Sequence, residues 1–364
     1  MDIRLENVLK YEQPTKYIVK SENYSDDFAL PVLTAGKSFV LGYTAETEGV
    51  CKASENPVII FDDFTADCKY VDFDFKVKSS AMKILHKANT EDNLKYYFYA
   101  MQAIDYTPFS HKRVWISEYS KFKIENRSVA EQNNIVKDLD TVATAIDNAK
   151  QRLNALDELV KSRFIEMFGD PVENPKGWDK KPLSDECKII TGNTPSRKKA
   201  DYYGNFIEWI KSDNINTPNA WLTTASEFLS EEGLKVGRSV EKDCILMTCI
   251  AGSIGCIGNV SVTDRKVAFN QQINGIIPNK NNVWYLYVLF ELSKSYIQST
   301  VTMALKGILS KGQLSKIEFI FPPIELQNEF ADFVKLTDKS KFIVQKQIED
   351  LQELLDSKMD EYFG

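Results

Sequence analysis

The sequence lacks most of what a catalytic site is built from. Two histidines, His86 and His111, occur in 364 residues, and the six cysteines (51, 68, 187, 244, 249 and 256) form no CxxC pair. A structural zinc site wants four ligands in two close pairs. No metal site is therefore expected, and Cys244, Cys249 and Cys256, set in an apolar stretch, are expected as small core residues. The patterns GxxxxGK[ST], GxSxG and HExxH are missing. AGSIGCIGN (251–259) has glycines but no lysine behind them, and reads as a sheet turn. FPPI (321–324) lacks the leading Asn or Asp of an adenine-methyltransferase tetrapeptide. No run reaches the ~20 apolar residues of a membrane span. The stretch MDIRLENVLKYEQ has no signal-peptide core, so a cytoplasmic location is expected.

Charge is unevenly spread. The chain carries a net charge of −7, yet residues 176–313 hold 17 basic and 13 acidic side chains, a local +4. The overall acidity argues against a purely electrostatic DNA binder, while leaving room for one basic face.

What the sequence does have is a repeat. LDELVKSRFIEMFG (156–169) matches LQELLDSKMDEYFG (351–364) at seven of fourteen positions, and at the same offset of 195 the segments 120–169 and 315–364 share eleven of fifty. Ser128 and Glu131 have capping-box spacing in the first copy, and Pro322-Pro323 stands there in the second. Each copy closes on a glycine suited to the position past a helix end. Ile135, Leu139, Val142, Ile146, Ala149, Leu153, Leu156 and Val160 alternate in steps of four and three, a coiled-coil seam. The second copy follows with Phe330, Val334, Val344, Ile348, Leu351 and Leu355, interrupted at Thr337 and Lys341. Two long helices of roughly 54 Å, packed antiparallel about an approximate two-fold axis, are expected.

Ahead of each helix lies a sheet-rich block: 1–116 before the segment 117–175, and 176–314 before 315–364. Pro57–Phe61, Val71–Val77, Cys244–Thr248 and Gln272–Ile277 read as strands, and 93–99 matches 282–288 as an aromatic helix. GDPVENPKGW (169–178) reads as a boundary linker. The expected fold class is α/β (α+β): two globular blocks separated by two long antiparallel coiled-coil helices.

The chemistry left over suits nucleic acid, since phosphates take cations and base edges take Arg, Lys, Asn and Gln. Candidate DNA-binding residues are Thr194, Ser196, Arg197, Lys198 and Lys199 in TGNTPSRKK, with Lys211, and Asn270, Gln271 and Gln272 in FNQQ. His111, Lys112 and Arg113 close the first block, Lys306 and Lys311 hold the matching place in the second, and Lys37 adds a further cation.

TGNTPSRK, FNQQINGI (269–276), FPPIELQNEF (321–330) and both LxEL…SxxxExFG endings resemble the DNA-specificity subunit of type I restriction–modification systems over essentially the whole chain. The resemblance implies two target-recognition domains, each reading half of a split double-stranded DNA sequence. It implies helices that set the gap between half-sites and dock two methyltransferase (modification) subunits, and it leaves room for endonuclease/translocase subunits. This chain would then bind no cofactor, S-adenosylmethionine being used by the partner. Because the blocks diverge, an asymmetric target is expected. The first block lacks a clear TGNTPSRK; Glu12-Gln-Pro-Thr-Lys16 is the nearest match. The competing reading is a non-catalytic scaffold with two protein- or glycan-binding domains spaced by a coiled coil, which the acidic helices favour.

Overall fold

Two four-stranded antiparallel sheets with the same strand order organise the chain. The computed structural model describes residues 2–35, 38–109, 112–217, 220–303 and 307–364. They fall into two units, Met1–Lys150 with Lys346–Gly364, and Gln151–Gln345.

The first unit contains β1 (Leu9–Glu12), β2 (Leu30–Leu33), β3 (Val40–Thr44), β4 (Val58–Asp62), β5 (Cys68–Val71), β6 (Lys76–Val77) and β7 (Met82–Lys87). Its main sheet runs β1-β7-β4-β5, with Leu85 between Tyr11 and Ile59. A smaller sheet runs β3-β2-β6, with β2 and β6 parallel. The strand β4 is the apolar run Val-Ile-Ile-Phe-Asp, buried throughout, as a strand covered on both faces should read.

The second unit repeats this plan. It contains β8 (Cys187–Thr191), β9 (Tyr203–Ile210), β10 (Phe228–Leu229), β11 (Ser239–Val240), β12 (Ile245–Thr248), β13 (Val260–Val262), β14 (Val267–Phe269) and β15 (Ile273–Pro278). Its main sheet runs β8-β15-β12-β13, with Ile276 between Ile189 and Ile245. Its smaller sheet runs β10-β9-β14-β11, with β9 and β14 parallel. The expected strand over 71–77 is broken, because β5 stops at Val71. Asp74 instead serves a turn, accepting from the Ser54 hydroxyl at 2.6 Å and from Lys52 at 2.7 Å.

Four longer helices follow: α1 (Leu94–Gln102), α2 (Val129–Phe168), α3 (Val283–Leu292) and α4 (Ile324–Phe363). At 40 residues each, α2 and α4 are ~60 Å long. Ser128 and Glu131 form the expected capping box, the backbone N–H of Ser128 donating to the carboxylate at 2.9 Å and the backbone N–H of Glu131 to the hydroxyl at 3.3 Å. Gly169 takes φ +79° past the end of α2, a conformation a glycine adopts without strain.

The conserved spacing of the repeat now has a mechanical meaning. Each long helix starts bolted to the aromatic helix that precedes it. The Asn93 backbone N–H donates to the Gln132 Oε1 at 2.9 Å and its side-chain amide to Asn133; Asn282 donates likewise to Gln327 at 3.0 Å and to Asn328. Gln132 and Gln327 are buried, so their amides must be satisfied internally, and both are. The endings do the converse. In the first unit the Phe363 ring of α4 lies 5.5 Å from Tyr96 of α1, and in the second the Phe168 ring of α2 lies 5.1 Å from Tyr285 of α3. Fully burying a phenylalanine contributes about 1.5–3 kcal/mol, and Phe168 is wholly enclosed. Within each unit, then, the start of one long helix is paired with the end of the other, and the pair runs antiparallel.

The seam follows the expected residues. Ile135, Leu139, Val142, Ile146, Ala149 and Val160 are buried, and so are Phe330 and Val334. Leu153, Leu156, Val344, Ile348, Leu351 and Leu355 are half-buried. Thr337 does not interrupt the seam: it is buried, its hydroxyl donating to the Phe333 carbonyl one turn back at 3.0 Å. Lys341 leaves it, forming an ion pair with Asp157. The stretch 169–178 is a folded turn rather than a loose linker. Asp170 accepts from the backbone of Val172 and Glu173, and the Trp178 indole donates to the Phe168 carbonyl at 2.9 Å. Cys244 and Cys249 are core residues as expected, whereas Cys256 is only half-buried, in a short 3-10 turn.

Candidate nucleic-acid interface

In the second unit two loops meet at the end of the main sheet: residues 192–199, leaving β8, and residues 270–272, joining β14 to β15. They meet at a glycine. Gly192 donates its N–H to the Ile273 carbonyl at 3.0 Å, and a Cβ there would lie 2.1 Å from the Asn270 carbonyl oxygen. No other residue fits this approach of backbone to backbone.

The rest of the first loop is pinned along its length. The Asn193 N–H donates to the Phe269 carbonyl at 3.1 Å and its amide to Val236 at 2.9 Å. The Trp209 indole donates to the Asn193 carbonyl, and the Tyr203 hydroxyl to the Pro195 carbonyl at 2.6 Å. The Thr194 hydroxyl donates to Gln271 Oε1. Gln271 is exposed, with its amide nitrogen unengaged among the described residues, so its donors are left free for an outside acceptor. Ser196 and Lys198 are exposed beside it. Asn270, by contrast, is only 5% exposed. Its Oδ1 accepts from the Gln272 N–H at 2.9 Å and its amide donates to the Gln272 side chain, so it shapes the loop rather than facing outward.

The cations are more constrained than their sequence suggests. Arg197 stacks over Tyr203 and Trp209, 4.4 and 5.0 Å from the ring centroids, and donates to Glu227 Oε2 at 2.6 Å. Lys211 pairs with the other oxygen of the same carboxylate. That Lys211 contact, reinforced by Arg197, holds the Glu227 carboxyl below its usual range, so it is ionised at neutral pH. Lys199 reaches the Tyr202 hydroxyl at 3.2 Å. Lys311 is the exposed first residue of a short helix capped by Ser310 and Gln313.

The corresponding loops of the first unit follow β1 and precede β7. They carry Lys16, paired with Glu12 at 2.6 Å beside His86, and Lys78, paired with Glu22. Arg113 donates to the Ser80 carbonyl at 3.4 Å and Lys112 is exposed next to it. The segment that follows is anchored from inside: Asp63 accepts the Trp115 N–H at 2.9 Å and is paired with Lys83 at 3.2 Å. Lys37, His111 and Lys306 lie outside the described residues.

Sequence reasoning missed Glu227, Tyr203 and Trp209. The aromatic pair is six residues apart on β9, about 20 Å along a regular strand, yet the rings lie 6.0 Å apart because the strand is irregular between Tyr203 and Ile207, which both pair with Leu229; nothing local marks this, or Glu227 as their partner. Among the described residues no group of His, Cys, Asp and Glu is placed to hold a metal ion. Burial pushes the Cys249 thiol up to about 12, which makes it inert rather than nucleophilic.

Comparison with known proteins gives a consistent result. Residues 175–353 match a family model described as the type I restriction modification DNA specificity domain. The chain is 31% identical to the type I restriction enzyme EcoR124I/EcoR124II specificity subunit of Escherichia coli, over 98% of this chain and 91% of that protein. It is 31% identical to the HindI specificity subunit of Haemophilus influenzae over 50% of this chain and 40% of the relative. The fold resembles the crystal structure of a type I restriction–modification S subunit from M. genitalium, with TM-score 0.58 at 13% identity, covering 100% of this chain and 96% of that one. It also resembles a chain from a structure of the type I R-M system, with TM-score 0.53 at 15% identity, covering 100% and 97%.

Proposed function

The chain belongs to the DNA specificity subunits of type I restriction–modification systems, and from that premise we propose that its two sheet-rich blocks read unlike halves of a split, asymmetric DNA target. The specificity subunit is non-catalytic; it recognises sequence and recruits the modifying and cutting machinery. Residues 1–116 and 176–314 are assigned as the two target-recognition domains, and 117–175 and 315–364 as the segments that space them. The observation that supports this most is the loop pair of the second unit, where Gly192 lets the 192–199 and 270–272 loops touch and Thr194 orients Gln271. Gln271, Ser196 and Lys198 are assigned to bases and phosphates there, and Lys112 and Arg113 to the first unit's half-site.

Two methyltransferase subunits are the proposed partners, one for each start-to-end helix pairing, with S-adenosylmethionine bound by them. Apolar residues left exposed on α4 mark a docking face: Phe342 is 72% and Ile343 67% exposed. No helix among the described residues is long and apolar enough to cross a membrane, and the reading places the protein in the cytoplasm with its DNA. The scaffold alternative has no comparable support.

The test is methylation mapping of DNA in cells carrying this chain and a matching methyltransferase. A bipartite methylated motif is expected, absent when the chain is deleted. Inserting four residues, about one turn, within 135–160 is expected to change the gap and leave both half-sites intact. A motif independent of this chain sinks the proposal.

A further inference from the structure

We propose that Glu227 is a specificity-determining residue, which withholds Arg197 and Lys211 from the phosphates of arbitrary DNA and yields them only when the second unit is seated on its own half-site. This inference rests on the DNA-reading function proposed above and adds a residue to it.

The geometry carries it. One carboxylate serves two cations, Arg197 through Oε2 and Lys211 through Oε1. Glu227 is fixed from behind, because its carbonyl accepts the Trp209 N–H at 2.9 Å and the next residue opens β10 against β9. Arg197 is fixed from below by the Tyr203 and Trp209 rings, and Lys211 also lies over Trp209, 5.5 Å from the ring centroid. Its guanidinium is therefore held at one place whether or not the carboxylate remains its partner. Arg197 is itself in the 192–199 loop, two residues from the Pro195 carbonyl that Tyr203 secures.

A carboxylate bridging two cations occupies the position a phosphate oxygen pair would take. With that carboxylate ionised the trio carries +1, where the two cations alone would carry +2, and long-range attraction to DNA is reduced accordingly. The Arg197 side chain is 56% exposed and Glu227 33%, so the pairs are screened and weak enough to be exchanged for a phosphate. That exchange needs the phosphate brought to the cations at the right distance. Ser196, next to Arg197 in the same loop, and Gln271 on the adjoining loop do this only when their base contacts are satisfied.

The experiment uses the chain assembled with its methyltransferase, in wild-type and Glu227→Gln forms. Binding is measured against a duplex bearing the mapped motif and a duplex without it, each across a salt titration. Gln keeps the shape and removes the charge. The expected result is non-cognate affinity raised about three- to tenfold at low salt, with a salt slope steeper by about one, and a cognate preference reduced by the same factor. The triple variant Arg197→Gln/Lys211→Gln/Glu227→Gln is expected to bring non-cognate affinity no higher than the wild-type level, since the gain runs through those two cations. Unchanged non-cognate affinity and slope in E227Q overturns the masking, as does a gain that survives in the triple variant or an equal weakening on both duplexes. A wild-type complex that prefers neither duplex strikes the DNA-reading function instead.

Discussion

The two units share a framework, and one pair of buried positions inside it shows how far their interiors differ. Strand register equates Asp63 with Cys249: their N–H groups donate to the carbonyls of Ala81 and Gln272, and their carbonyls accept from Val114 and Leu309. The same register equates Lys83 with Asn274. In the first unit these positions form an ion pair with both residues 1% exposed. In the second they are a thiol and an amide in contact, the Asn274 Oδ1 also accepting from the Thr191 hydroxyl at 2.7 Å. Duplicated backbone hydrogen bonds thus tolerate quite different interiors, provided every polar group keeps a partner. Where the aromatic helix meets the long-helix start, by contrast, Asn93 and Asn282, Gln132 and Gln327, and Asn133 and Asn328 recur identically.

The sharpest way to break this comparison is Asp63→Ala, which leaves the Lys83 ammonium buried and the Trp115 N–H unaccepted. A loss of about 3–5 kcal/mol is expected, read as a shift in the denaturation midpoint. The double variant Asp63→Cys/Lys83→Asn, which copies the second unit's pair, is expected to cost far less than the two single changes together. If it costs the full sum, the positions are not equivalent.

Next in size is Gly192→Ala. Its Cβ must push the Asn270 carbonyl away, and overpacking of this kind costs about 1–3 kcal/mol. Methylation mapping should show the second unit's half-site degraded and the first unit's retained. Loss of both half-sites would mean that the glycine supports folding rather than the meeting of two reading loops.

The smallest effect is expected from Arg197→Ala/Lys198→Ala/Lys199→Ala. Arg197 is shared with Glu227 and Lys199 with a tyrosine, so DNA affinity should fall with a salt slope shallower by only one to two, not three, by about one unit per lost phosphate contact. A salt titration of the assembled complex decides it, and an unchanged slope removes the run from the interface.

Sequence alone determined the long helices, because a heptad seam and an offset of 195 residues are properties of spacing, and spacing survives without coordinates. It also determined that TGNTPSRKK and FNQQ carry polar chemistry. It could not determine which of those residues face outward. Asn270 turned inward because its amide closes the loop on Gln272, and Thr337 stayed in the seam because its hydroxyl found a carbonyl one turn back. Only the tertiary structure decided that Glu227 faces Arg197, thirty residues away in the chain. A contact between distant segments depends on how strands pair, and pairing leaves no period in the sequence to read.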